Sequence, residues 1–144
     1  MRDTVVTATM TLLLVDDEPM IREMLEEDLA AAGFDTLAAA NGREAMAILD
    51  ACWNDIVGLV TDIRLGQGPN GWDVARHARA LSSTMPIVYM TGDSAWELDV
   101  QGVAYSLLVN KPLAAAQIVS AITSLLQRRD SAEHDHKPRP SQFA

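Results

Sequence analysis

The stretch Thr11-Leu12-Leu13-Leu14-Val15-Asp16-Asp17-Glu18-Pro19 decides the fold. A continuous apolar run stops at three acids, and a proline follows. Side chains on a strand alternate between its two faces, so an unbroken apolar run fits a strand covered on both sides. The run is too short to span a bilayer and meets its acids without a small-residue cleavage site, which argues against both a membrane span and a leader. Pro19 suits the first turn of a helix. Ile21, Met24, Leu25, Leu29 and Ala32 then recur at helical spacing until Gly33 ends the segment.

The alternation continues outward. Residues 34–38 form a second, weaker strand, and Asn41 with Glu44 three residues on resembles a capping box opening a helix with Ala45, Ile48, Leu49 and Cys52 on its apolar face. Residues 56–61 form a third strand ending at Asp62. The segment Gly66-Gln67-Gly68-Pro69-Asn70-Gly71 is loop chemistry, and the helix after it buries Trp72, Ala75, Ala78 and Leu81. Residues 86–90 form a fourth strand running into Thr91-Gly92, and residues 106–109 a fifth, ending at Asn110-Lys111-Pro112. Between them, Trp96, Leu98, Val100 and Val103 alternate rather than follow a helical period. The last helix carries the stripe Leu113, Ile118, Ala121, Ile122, Leu125 and Leu126, and its pattern stops after Gln127. Strands alternating with helices imply a parallel sheet covered on both faces, because each parallel crossover must carry the chain back along the sheet.

The 144 residues hold one domain of ordinary size. Residues 1–9 read as an N-terminal extension, 10–128 as the folded unit and 129–144 as a disordered charged tail. The net charge of -9 belongs to the folded part, since residues 1–127 carry -10 and the rest +1. Such acidity disfavours nucleic acid and anionic membranes as partners. The single cysteine, Cys52, requires no oxidising compartment and is expected to pack as an apolar side chain, so a cytoplasmic location is expected. Met20, Met24 and Met46 are expected in the core. His77 is expected on a solvated helix face, and His134 with His136 forms a short His-Asp-His run in the tail. Only two lysines occur, Lys111 and Lys137, so Lys111 stands alone in the folded part.

In an open parallel α/β sheet, ligands bind beyond the carboxyl ends of the strands, where the strand order reverses. Those ends carry Asp16-Asp17, Asp62, Thr91-Gly92 and Lys111-Pro112. Each pair alone has an ordinary reading as a turn or cap. Together they place three carboxylates, a hydroxyl and the lone lysine at one edge. Carboxylates ~5 Å apart repel by about 3 kcal/mol per pair at an effective dielectric near 20, so the cluster calls for a cation. Oxygen ligands without His or Cys favour Mg²⁺, which prefers a few carboxylates plus a phosphate. A lysine and a hydroxyl complement a phosphoryl group, and an aspartate can serve as the nucleophile.

Over residues 10–127 the chain resembles the receiver domain of two-component response regulators, through Val-Asp-Asp-Glu-Pro at 15–19, Thr-Asp-Ile-Arg-Leu at 61–65, Met-Thr-Gly at 90–92 and Asn-Lys-Pro at 110–112. The resemblance implies a flavodoxin-like, doubly wound five-stranded parallel sheet of order 2-1-3-4-5, with Asp62 phosphorylated by a sensor histidine kinase or a histidine phosphotransfer protein. It implies Mg²⁺ held by Asp16, Asp17, Asp62 and the backbone carbonyl of Arg64, with Lys111 and Thr91 on the phosphoryl group and the Gly92 N–H as a further donor. It further implies a single-domain regulator, a monomer or weak dimer, whose output is protein binding or phosphorelay rather than catalysis. The rival readings are a pseudo-receiver scaffold and a Mg²⁺-dependent phosphatase with an Asp nucleophile. That phosphatase class usually places a second Asp two residues after the nucleophile, where this chain has Arg64.

Three features depart from the family pattern. Leu65 leads into a Gly-rich loop one residue longer than usual, in place of a Met-Pro-type step. Leu108 stands where the switch aromatic is expected, with Tyr105 or Trp96 as candidate substitutes. The stretch 94–104 has a weak helical signal. Arg64 and Asp93, each two residues beyond a site residue, are expected to pair across the site and slow hydrolysis of the phosphoryl group.

Overall fold

The computed structural model describes residues 10–92, 102–111 and 115–135, with only the backbone course described for 131–135. Five strands form one parallel sheet: β1 (Met10–Val15), β2 (Phe34–Ala39), β3 (Ile56–Asp62), β4 (Ile87–Thr91) and β5 (Ser106–Asn110), in the order β2-β1-β3-β4-β5. The helices are α1 (Pro19–Ala31), α2 (Gly42–Cys52), α3 (Gly71–Leu81) and α4 (Ala115–Asp135), with a short 3-10 turn at Trp53–Asp55. This is the doubly wound fold expected from the alternation.

The opening stretch behaves as its composition demands. Leu13 and Val15 join one apolar cluster with Leu49, Leu59, Trp72, Ala75, Ala78 and Tyr89, the face covered by α2 and α3. Leu12 and Leu14 join the other with Leu25, Leu29, Val60, Val88, Ile118, Ile122 and Leu125, the face covered by α1 and α4. Adjacent residues of β1 thus enter opposite cores, and all four are fully buried. At ~25 cal/mol per Å² of apolar area, a leucine so placed contributes about 2 kcal/mol, so any polar residue within this run would be costly.

Asn41 caps α2 as expected, accepting the Glu44 N–H at 2.9 Å; the reciprocal arm reaches Ala40, whose N–H donates to Glu44 Oε1 at 2.8 Å. Leu81 is half-buried against the α2/α3 core, and Cys52 packs there too, its Sγ 3.3 Å from the Ile48 carbonyl.

Several expectations change. The last helix does not stop at Gln127 but runs to Asp135, so the tail is not wholly irregular. Residues 128–135 contain no proline or glycine, and arginine, alanine and glutamate sustain a helix. Met20 and Met24 are not core residues, being 82 % and 43 % exposed, and Met46 is only half-buried. The inward stripe of α1 is Ile21, Leu25 and Leu29, four residues apart, and each methionine sits one residue ahead, about 100° round the helix. Ala32 is exposed for a related reason, since it lies past the end of α1 as its C-cap. His77 is not simply solvated: its Nε2 lies 2.7 Å from Asp50 Oδ1, linking α3 to α2. Trp96, Asp93, Pro112, Leu113 and His136 lie outside the described residues.

Candidate functional site

The strand order reverses between β1 and β3, and the residues ending those strands are Asp16-Asp17 and Asp62. Parallel pairing holds the ends level: Val15 is opposite Thr61, and Asp62 is opposite Met90, one residue before Thr91. Thr91 pairs with Asn110, and the Lys111 N–H donates to the Thr91 carbonyl at 2.7 Å. Register alone therefore gathers all the candidate residues at one edge.

Ligand oxygens of Asp16, Asp17 and Asp62 lie within 4.8 Å of one another. Lys111 Nζ is 2.8 Å from Asp62 Oδ2 and 3.9 Å from Asp16 Oδ2. Asp16 is completely buried while Asp17 is exposed, so the pair divides between an inner and an outer carboxylate. Asp16 Oδ1 accepts the Glu18 N–H at 2.9 Å, and the Asp16 carbonyl accepts from Arg22 at 2.8 Å. Asp16 Oδ2 is buried with no hydrogen-bond partner among the described residues. Burial, then the charges of Asp62 and Asp17, push the Asp16 carboxyl up to about 6 against the lowering effects of the Glu18 N–H and Lys111. Burial would lower Lys111, but the hydrogen bond and charge of Asp62, with Asp16 and Glu18, outweigh it and hold the ammonium above its ordinary value.

Arg64 stands two residues beyond Asp62, its N–H 3.4 Å from Asp62 Oδ1. Thr91 is buried at the end of β4. Asn70 and Asp73 form a reciprocal capping box at the start of α3, each accepting the other's N–H at 3.0 Å. The hydrogen bond from the Asp73 N–H completes this box, and the one from the Asn70 N–H holds the Asp73 carboxyl below its usual range. The Asn-x-x-Asp spacing was the available sequence signal, hidden inside a segment that reads as loop.

Leu108 is half-buried against the α2/α3 core, directly opposite Tyr89 in register. Tyr89 is fully buried, its ring 4.5 Å from that of Trp72 and its hydroxyl accepting the Val103 N–H at 3.3 Å. Burial raises its hydroxyl above the ordinary phenol value. Tyr105 points elsewhere. It precedes β5 in a left-handed conformation (φ 56°), with Arg79 5.9 Å above its ring. Among the described residues, the aromatic paired with Leu108 across the sheet is Tyr89.

A five-stranded sheet of this order, with acids at its reversal point and a lysine from its last strand, defines a doubly wound α/β protein that works at the carboxyl edge of its sheet. More particularly, the chain belongs to the response regulator receiver domain family, whose sequence pattern matches residues 12–123. It is 33 % identical over 132 residues to the transcriptional regulatory protein AruR of Pseudomonas aeruginosa, covering 88 % of this chain and 53 % of that protein. It is 30 % identical over 126 residues to the C4-dicarboxylate transport transcriptional regulatory protein DctD of Rhizobium meliloti, covering 85 % of this chain and 26 % of that protein. The chain thus spans about half or less of these relatives. A response regulator receiver protein from Sinorhizobium medicae is 41 % identical with a TM-score of 0.80, covering 84 % of this chain and 97 % of that one. The Vibrio cholerae chemotaxis protein CheY4, 24 % identical with a TM-score of 0.73 over 82 % of this chain and 99 % of that one, shares the fold. Among the described residues no helix is long and apolar enough to cross a membrane.

Proposed function

We propose that Asp62 accepts a phosphoryl group from a phosphohistidine on a sensor kinase or phosphotransfer protein, and that the modified chain signals by binding another protein or passing the group on. The observation that carries this reading is Lys111 Nζ 2.8 Å from Asp62 beside two further carboxylates within 4.8 Å. One Asp62 oxygen forms a bond to phosphorus as the phosphorus–nitrogen bond of the donor breaks. The electron pair returns to the imidazole, which takes up a proton.

The donor set fits Mg²⁺: hard oxygens only, one of them buried and unpartnered, in a cluster whose mutual repulsion a divalent cation relieves. Asp16, Asp17, Asp62 and the Arg64 carbonyl would hold the ion, which when bound neutralises charge on the phosphoryl oxygens. Lys111 steers the Asp62 carboxylate in the unmodified protein and is placed to transfer its hydrogen bond to a phosphoryl oxygen once Asp62 is esterified. Thr91 supplies a hydroxyl from the neighbouring strand. The Glu18 N–H and Lys111 oppose the burial that raises the Asp16 carboxyl, and a bound cation would favour its ionised form further.

The test is incubation with Mg²⁺ and a small acyl phosphate, followed by intact mass. Gain of one phosphoryl by the wild type and none by Asp62→Asn is expected. Steady phosphate release from unrelated esters would instead indicate a phosphatase, and failure to bind Mg²⁺ a pseudo-receiver scaffold.

A further inference from the structure

Gly71, the first residue of α3, lies against the backbone that carries Asp62. A Cβ at Gly71 would fall 2.7 Å from the Ile63 Cα and closer still to the Asp62 carbonyl oxygen. Both neighbours are main chain and cannot swing aside as the end of a side chain would. The Gly71 N–H donates to the Ile63 carbonyl at 2.8 Å, closing the loop on itself, and the Ile63 N–H donates to the Met90 carbonyl of β4 at 3.2 Å. The Thr61 hydroxyl donates to the same Asp62 carbonyl at 2.9 Å. Three elements therefore hold this peptide: β4, a buried hydroxyl of β3 and the first residue of α3, which the Asn70–Asp73 box keeps in place.

A second close approach, two residues earlier in the loop, has a different consequence. Gly42, the first residue of α2, faces Pro69, where a Cβ would lie 2.8 Å from the proline Cβ and closer to its carbonyl. That contact seats the loop without touching the residue that bears the carboxylate.

We propose that Gly71 is a positioning residue for the chemistry at Asp62: its missing side chain lets α3 rest on the Asp62–Ile63 peptide, and this seat aims the Asp62 carboxylate at Lys111 and the neighbouring acids. The proposal rests on the reading of Asp62 as phosphoacceptor. A misplacement of ~1 Å at a reacting group costs on the order of 100-fold in rate. Gly71→Ala is therefore expected to slow Asp62 modification at least tenfold at saturating Mg²⁺ and acyl phosphate, and to weaken binding of Mg²⁺ alone several-fold by calorimetry. Gly42→Ala, which strains the same loop at Pro69 without touching the Asp62–Ile63 peptide, is expected to lower the melting temperature comparably yet keep the saturated rate within about twofold.

Wild-type rate and Mg²⁺ affinity in Gly71→Ala would overturn the proposal, as would losses in both variants that simply follow their melting temperatures. Should Gly71→Ala fail to fold, Asn70→Ala loosens the same turn without a clash; a slower saturated rate and weaker Mg²⁺ binding are expected, and no change in either overturns the idea. If the wild type itself takes no phosphoryl group, the reading of Asp62 fails, while the Mg²⁺ titrations of the glycine variants still decide the role of Gly71.

Discussion

The two edges of the sheet handle buried charge in opposite ways. At the carboxyl edge, three carboxylates meet one lysine, leaving an excess of negative charge and an unpartnered buried oxygen on Asp16. At the amino edge, Arg79 reaches from α3 to the carbonyls of Ser82 (3.0 Å), Ala104 and Tyr105 (3.4 Å), with the Tyr105 ring beneath it. Burial lowers Arg79 from its ordinary value, yet a guanidinium so far above neutrality keeps its charge, and its partners among the described residues are carbonyls and a ring. Arg79 Nε, like Asp16 Oδ2, is buried without a hydrogen-bond partner among the described residues, so the two edges differ in the sign and balance of their charge rather than in complete pairing. An unneutralised cluster costs stability until something binds, whereas a guanidinium donating to carbonyls stabilises from the start.

The largest effect expected from breaking this contrast is at Asp16. Its folded pKa of about 6 lies above the unfolded value, so the folded protein binds more protons between roughly pH 4 and 6. Without Mg²⁺, the contribution of Asp16 to stability should therefore rise as pH falls, by about 1 kcal/mol between pH 7 and 5 and by about 3 kcal/mol once the pH lies below both values. Asp16→Asn should remove most of this dependence and raise the metal-free melting temperature. Thermal melts in chelator at pH 5, 6 and 7 measure both, and a wild-type melt that fell across this range would contradict the charge excess. Mg²⁺ affinity should weaken below about pH 6, as protons compete for the same carboxylate.

At the opposite edge, Arg79→Met should cost about 2 kcal/mol in denaturant unfolding through lost charged hydrogen bonds, with Mg²⁺ affinity unchanged. Coupling between that loss and Mg²⁺ binding would show that the two edges are not independent. Asn70→Ala should cost about 1 kcal/mol through loss of a helix cap and, unlike Arg79→Met, should also slow Asp62 modification. Least of all, His77→Ala should change stability by under about 1 kcal/mol, because its partner Asp50 is largely exposed; the difference should fade in high salt.

Much of the fold was legible in the chain because strand and helix periods are local. The β1 run announced a doubly covered strand, and the acids, threonine and lysine followed their strands directly, so their meeting needed only the topology of a parallel sheet. What escaped was non-local. Nothing at 20 or 24 distinguishes a core methionine from an exposed one until the packing of α1 selects the Ile21, Leu25 and Leu29 stripe. Tyr89 looked like any strand residue until β4 and β5 paired it with Leu108 beneath Trp72.

The sequence by itself determined the element order, the parallel sheet and the residues that stand at its carboxyl edge, because these follow from short periods and from the turn chemistry between them. Only the tertiary structure decided that Asp16 is the inner carboxylate and Asp17 the outer, that Arg79 closes the amino edge, and that Gly71 rests on Asp62. Those depend on sub-ångström approach between segments distant in sequence, which register and close packing settle and which no local pattern encodes.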